Sequence, residues 1–268
     1  MTKVAVITGA SSGIGLSTAH ILQRKGYQVI GGARHVDNLQ NTDTSGVKFL
    51  KLVVTNHESV TQFVKQIIND YGNIDLVINS AGYGLFGALE EVDLEDARNQ
   101  LEVNLFGMAD LNKQILAGMR LRHSGRIVNI SSLAGKSYSP LGGWYHISKH
   151  AVETYSDVLR TEVEDFGIKV VVVEPGITDT NWQSVANNKL LNSTSKASPY
   201  RNLAEKVAKV LTNTTATPDE VGEVIFKAST VEKPKARYQV KFPDKMAVKL
   251  SGLASDRVQD WYMKRMMR

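Results

Sequence analysis

Residues 4–15 read Val-Ala-Val-Ile-Thr-Gly-Ala-Ser-Ser-Gly-Ile-Gly. A short apolar run stops at Thr8, glycines stand at 9, 13 and 15, and Ile14, Ala19, Ile21 and Leu22 then recur at helical spacing until Gly26. The pattern predicts a strand, a sharp turn and a helix. The first N–H groups of a helix have no partner within it and sit at the positive end of its dipole, so such a junction suits a phosphate. Gly9 permits the turn, Gly13 removes the side chain that would hold the backbone away from a pyrophosphate, and Gly15 lets helix and strand pack closely. Ser11, Ser12 and Ile14 lie between these glycines and join the candidate phosphate contacts. The spacing G-x-x-x-G-x-G is neither the common G-x-G-x-x-G fingerprint nor a P-loop. The P-loop lysine is missing, which argues against a kinase or an NTPase.

The rest of the chain repeats the alternation. Further strands are predicted at 28–32, 47–54, 74–79, 126–131 and 169–174, with helices at 59–71, 96–121 and 145–166 between them. The strands are nearly continuous apolar runs, as expected where crossover helices bury both faces of a sheet. This order predicts an α/β, Rossmann-type, doubly wound parallel sheet. No domain boundary is visible, so residues 1–268 read as a single dinucleotide-binding domain. After Pro175 the texture changes: residues 183–217 are rich in Asn, Ser, Thr and Lys. They read either as a surface helical insertion or, with the whole segment 176–217, as a helical lid over a substrate. A helix at 218–231, a short strand at 237–240 and a C-terminal helix at 244–268 close the chain.

Composition narrows the chemistry. The chain has 268 residues and no cysteine, which excludes disulfides, thiolate catalysis and Cys-based zinc sites. His146 and His150 form the one i,i+4 histidine pair, and without a nearby carboxylate they read as partly exposed helix surface. No apolar run reaches membrane-spanning length, and the first strand begins too early to leave room for a signal peptide, so the protein reads as soluble and cytoplasmic. Net charge is +5, which suits an anionic cofactor. No basic stripe with interleaved aromatics is present, which disfavours nucleic acid. The basic C-terminal stretch (Lys245, Lys249, Arg257, Lys264, Arg265, Arg268) with Trp261 and Tyr262 could lie on a membrane surface, but the preferred reading is an ordinary docked helix.

Further motifs follow in order: Asn79-Ser-Ala-Gly82, Asn104 within Glu102-Val-Asn-Leu105, Ser131-Ser132 after an apolar strand, Tyr145-x-x-x-Lys149, and Pro175-Gly176. Each is weak alone. Together with the glycine loop they resemble the short-chain dehydrogenase/reductase family over residues 4–182. The general look is similar to the branch with 17β-hydroxysteroid dehydrogenase-like and retinol dehydrogenase-like enzymes. The resemblance implies that Tyr145 is the catalytic acid/base, Ser132 binds the reacting oxygen, Lys149 holds the nicotinamide ribose and lowers the tyrosine pKa, and Asn104 holds a relay water. Ser132, thirteen residues before Tyr145, fits the family spacing better than Ser131. Asn79, Ala81 and Gly82 resemble the segment that stabilises the sheet and lines the adenosine side. Pro175, Gly176, Ile177 and Thr180 resemble the loop that seats the nicotinamide carboxamide. The chemistry stands independently. A carbonyl that takes a hydride needs a proton, a free tyrosine titrates near ~10, and a cation one helical turn away favours its ionised form.

The second strand ends Gly31-Gly32-Ala33-Arg34, with no acidic residue for a ribose hydroxyl but an arginine for a 2′-phosphate. The expected cofactor is therefore NADP(H) rather than NAD(H). Val53 stands where relatives often carry an adenine-contacting Asp, which shifts that contact to backbone, at Val54. Ser80 replaces a common Asn. Leu85, Phe86, Leu133, Tyr138, Leu141, Trp144 and Trp182 are expected to line an apolar pocket for a ketone or secondary alcohol, unless they are simply core. Helices 96–121 and 145–166 are expected to form a seam between copies, giving a homodimer or homotetramer. The competing reading is a non-catalytic NADP-binding regulator on the same scaffold.

Overall fold

Val4, Ala5, Val6 and Ile7 are all buried because the strand they form, β1 (Val4–Thr8), runs through the middle of a sheet covered on both faces. The computed structural model describes residues 2–251 and 254–266. The other strands are β2 (Gln28–Ala33), β3 (Lys48–Lys51), β4 (Leu76–Asn79), β5 (Gly125–Ile130), β6 (Ile168–Glu174) and β7 (Arg237–Gln239). They form one seven-stranded sheet in the order β3-β2-β1-β4-β5-β6-β7, and every pairing is parallel. The expected single-domain, doubly wound α/β fold is the observed one.

Alternation along β1 divides the core in two. Val4 and Val6 face a cluster that includes Phe63 and Ile67 of α3 (His57–Tyr71), Leu111 and Met119 of α5 (Gly107–Leu121) and Leu159 of α6 (Gly143–Glu162). Ala5 and Ile7 face the opposite cluster, with Ala19 and Leu22 of α1 (Gly13–Arg24) and Val221 and Ile225 of α9 (Pro218–Thr230). The chain runs outward from β1 to β3, returns to β4, and then runs outward the other way. The crevice between β1 and β4, at the carboxyl ends of the strands, is therefore the switch point where doubly wound sheets bind ligands.

Several boundaries differ from the sequence expectation. The helix expected over 96–121 is α4 (Leu94–Leu101), a π-helical turn (Glu102–Phe106) and then α5. A β-carbon at Gly107 would lie 2.6 Å from the Val54 carbonyl oxygen, so the helix presses on the end of the β3 segment at that point. The third strand is shorter than 47–54, because Asn56 opens a turn and caps α3 by accepting from the Ser59 N–H at 2.8 Å. A short α2 (Asp37–Thr42) follows β2. Segment 176–217 contains α7 (Asn181–Ser193) and α8 (Arg201–Leu211). The single helix expected at 244–268 is instead α10 (Phe242–Ser251) and α11 (Asp256–Met266), with 252–253 and 267–268, including Arg268, outside the described residues.

Candidate active site

The glycine loop is closed on its neighbours. A β-carbon on Gly15 would lie 2.3 Å from the Gly9 carbonyl oxygen, and one on Gly9, at φ +66, would lie 2.9 Å from the Ala81 Cα. Ser12 is the N-cap of α1 in extended conformation, and its side chain caps nothing. The loop thus leaves the first N–H groups of α1 to an outside acceptor, with Ser11 and Ser12 exposed beside them. Ile14 is half-buried against the α1/α9 core. Thr8, at the end of β1, receives the Ser80 and Ala81 N–H groups on its hydroxyl at 3.1 and 2.9 Å, which fixes the 79–82 segment alongside.

The 175–180 loop meets the glycine loop. A β-carbon on Gly13 would lie 3.0 Å from Thr180 Cγ2. Thr180 caps α7 by accepting from the Trp182 N–H at 3.2 Å. Pro175 accepts from the Leu133 N–H at 3.1 Å, Gly176 has no room for a side chain beside Thr215, and Ile177 accepts from the Thr215 N–H at 2.7 Å. These tethers hold 175–180 across the mouth of the crevice. Arg34 is exposed just past the end of β2, and Val54 is half-buried with its carbonyl at Gly107. The glycines at 9, 13 and 15 and the uncapped helix end fit a dinucleotide.

Tyr145 lies on the first turn of α6 and is buried, with Ser132 beside its phenol. Ser132 stands immediately beyond β5, where its hydroxyl accepts from the Ala134 N–H at 3.2 Å. Ser131 turns the other way, toward Gly135. Lys149, one turn along α6, places Nζ 5.8 Å from the Tyr145 ring centre and donates to the Ile130 carbonyl at 2.9 Å. A β-carbon on Gly82 would lie 3.2 Å from Asn104 Oδ1 and 3.8 Å from Lys149 Nζ, so this glycine is the spacer between them. The four candidate catalytic residues are therefore brought to one edge of the sheet.

Two expectations about their behaviour change. Burial pushes the Tyr145 phenol up to about 12, with the Ser132 hydrogen bond working against it, whereas the neighbouring lysine was expected to draw it down. Desolvation is the larger effect here. Burial also pushes the Lys149 ammonium down to about 8, opposed by Glu153. Asn104 spends its side chain on protein: it accepts from the Tyr83 N–H at 3.1 Å and donates to the Tyr83 carbonyl and the Ser148 hydroxyl, each at 3.0 Å. Asn79 points into a buried amide cluster instead of the crevice, donating to Asn112 at 2.9 Å and Asn129 at 2.8 Å.

The apolar residues divide. Phe86, Leu141 and Tyr145 share a cluster with Leu190 of α7 and Val207 of α8, against which Trp182 packs. Trp182 and Tyr145 have ring centres 5.3 Å apart, and Phe86 lies 5.6 Å from Tyr145. Leu85 belongs to a separate cluster with Val92 and Ala97, and Trp144 packs there with Tyr83, away from Tyr145. Tyr138 is exposed and donates to Asp260 of α11 at 2.7 Å. Leu133 lies near Gly176. His146 is buried, contrary to its expected partial exposure. Its Nδ1 donates to the Ala134 and Ser137 carbonyls at 2.9 and 2.7 Å, leaving Nε2 to accept from the Ser139 hydroxyl at 2.9 Å. Burial holds its pKa below the usual histidine range, and it anchors the loop between Ser132 and Tyr145. Nothing in its sequence context marks that role. Among the described residues no group of His, Cys, Asp and Glu could hold a metal ion.

Comparison with known proteins agrees with this geometry. The family profile described as short chain dehydrogenase matches residues 3–190. The chain is 36% identical over 241 residues to a 3-ketodihydrosphingosine reductase of Bacteroides thetaiotaomicron, covering 89% of this chain and 87% of the relative. A short-chain dehydrogenase structure from Streptomyces avermitilis superposes with a TM-score of 0.83 at 29% identity, covering 99% of this chain and 97% of the other. An alcohol dehydrogenase from Thermococcus sibiricus, solved with 5-hydroxy-NADP, superposes with a TM-score of 0.72 at 29% identity, covering 89% and 96%. The chain belongs to the short-chain dehydrogenase/reductase family of oxidoreductases.

Proposed function

We propose that the protein is an NADP(H)-dependent oxidoreductase that interconverts a carbonyl and a secondary alcohol on an apolar small molecule. The observation that carries this reading is the meeting of Ser132, Tyr145 and Lys149 at the carboxyl edge of the sheet, with Lys149 Nζ 5.8 Å from the Tyr145 ring centre and Ser132 beside the phenol. The glycine loop with Ser11, Ser12 and Ile14 would hold the pyrophosphate and Arg34 a 2′-phosphate. Val54, Ala81 and Gly82 would flank the adenosine, with Asn79 bracing that segment. Lys149 would hold the ribose, and Pro175, Gly176, Ile177 and Thr180 would seat the nicotinamide. Bound there, the dinucleotide supplies or accepts the hydride.

The chain's own groups handle the proton and the geometry. In reduction Tyr145 acts in its protonated form, which burial favours, and gives its proton to the carbonyl oxygen that Ser132 orients. The phenolate left behind is stabilised by the Lys149 ammonium. Asn104 holds the Tyr83 backbone and Ser148, which keeps the floor of the site in register. Trp182, Phe86 and Leu141 form an apolar wall, and α7 and α8 act as the lid over it. The relative named for a keto substrate, and the neighbour solved with an NADP derivative, support the ketone and the cofactor. Exposed Phe106, Ile147 and Val158 support a homodimer or homotetramer seam along α4, α5 and α6.

The test is NADPH oxidation with a panel of long-chain and ring ketones. Turnover should fall by at least ~100-fold in Tyr145→Phe, in line with the loss of a general acid. A purified protein that binds NADPH but turns over no ketone, with Tyr145→Phe indistinguishable from wild type, would support the non-catalytic regulator instead.

A further inference from the structure

Lys149 is buried on α6, and the same helix face carries a second buried charge one turn later, Glu153. Nothing in the proposed reaction uses it. Its Oε2 pairs with Lys136 Nζ at 3.0 Å and Arg237 Nε at 2.9 Å, while Oε1 is buried without a hydrogen-bond partner. Gly135 packs on the helix turn between them: a β-carbon there would lie 2.9 Å from Glu153 Cγ and 3.1 Å from the Lys149 backbone carbonyl oxygen. The charged groups around this centre come from four elements. Lys149, Glu153 and Asp157 stand on α6, and Arg160 lies beyond them, paired to Asp157 at 2.6 Å. Lys136 follows Ser132 on the loop, Arg237 stands on β7, and Glu174 ends β6. Arg237 links the carboxylates, reaching Asp157 at 2.5 Å and Glu174 at 3.3 Å. Glu174 is closed off by Gln239, and Tyr145 is the remaining titratable group beside Lys149.

We propose that Glu153 is a positioning residue for Lys149: its buried carboxylate, held by Lys136 and Arg237, keeps the Lys149 ammonium charged and in place beneath Tyr145. This rests on the catalytic reading of Tyr145 and Lys149 given above. Glu153 sits between its two cations, and what ties it to the third is its place one turn along α6 from Lys149, whose protonated form its charge favours. Here, removing the negative charge would leave Lys149 facing Lys136 and Arg237, and like charges disfavour the protonated amine.

The experiment measures kcat/KM against pH together with thermal stability against pH of the cofactor-free protein. In Glu153→Gln the alkaline limb that reports loss of the Lys149 proton should move to lower pH by about 1 unit, the low end of the effect of a nearby opposite charge. Glu153→Asp should restore most of the shift. Lys136→Met should move the limb the other way, because it leaves more of the Glu153 charge for Lys149, and it decides the matter should Glu153→Gln fail to fold. Stability supplies a readout without turnover: the pH-dependent part of the Glu153→Gln effect should vanish in a Lys149→Met background. Unmoved limbs, or a Glu153→Gln stability loss that is independent of pH and of Lys149, would make Glu153 a strut and overturn the proposal. If Tyr145→Phe leaves turnover intact, the catalytic reading fails separately, and the stability cycle still measures the Glu153–Lys149 coupling.

Discussion

Arg34 occupies an unusual setting for a single exposed side chain. The glycines before it, Gly31 and Gly32, let β2 lie against its neighbours: β-carbons there would meet Ala10 Cβ at 2.8 Å and Leu52 Cδ2 at 2.6 Å. The Gly32 carbonyl in turn accepts from the Ala10 N–H at 3.2 Å, so the end of β2 is tied to the glycine loop. Arg34 therefore leaves a rigid strand end close to the bound phosphates' expected position, and its guanidinium presents a planar fork suited to a phosphate. Arg34→Ala should raise the Kd for NADPH by about 10-fold, the loss of one charge-assisted contact at an exposed site, while the Kd for NADH changes by less than about 2-fold. Fluorescence titration of both nucleotides measures it. Equal weakening of the two would remove Arg34 from the 2′-phosphate.

At the scale of elements, α7 meets α6 through an aromatic contact. Trp182, on the first turn of α7, packs against Tyr145 on one side and edge-on to Phe86 at 6.0 Å on the other. Gly84 makes the seat: a β-carbon there would lie 2.3 Å from Trp182 Cζ2. Gly84→Ala should force the indole out of its seat and tilt the start of α7. The expected outcome is a red shift of tryptophan emission and a several-fold rise in KM for the ketone, with the NADPH Kd unchanged. Unchanged emission and KM would show that the wall tolerates the methyl group. The sequence made Phe86, Trp182 and Trp144 alike candidate lining residues and could not separate Trp144, which packs elsewhere, since side chains on neighbouring loops can face either way. The strands were legible because parallel strands buried on both faces must be apolar throughout. The π-helical turn was not, because the sequence pattern of 96–121 reads as one continuous helix, and the packing of Gly107 on Val54 beside it joins residues more than fifty positions apart. The same limit hid the link from Arg237 to Glu153, which exists only once β7 is seated beside β6.

For the whole molecule, the site stands against the stability of the fold. Lys149 is a cation inside a low-dielectric crevice, and only differential protonation decides what it costs. Its native pKa of about 8 lies below its ordinary 10.5. Below about 8 both folded and unfolded chains carry the proton, and the folded one bears the full burden of the buried charge. Between about 8 and 10.5 the unfolded chain binds more protons than the folded one, so this group's contribution rises with pH. Tyr145 works in the opposite sense higher up: from 10 to about 12 the unfolded chain ionises first, and stability falls. Lys149→Met removes the charge and keeps a comparable apolar stem, so it should raise stability at pH 7 by up to about 3 kcal/mol, the linkage value of the shift, less the lost hydrogen bond to Ile130. A gain of that kind appears as a rise of several degrees in Tm for a chain of this length. It should shrink steadily as the pH is raised from 8 toward 10, and turnover should be lost throughout. Thermal melts of both proteins across that range provide the measurement. A difference in Tm that is constant with pH would mean that the Lys149 charge is not what the crevice strains to hold.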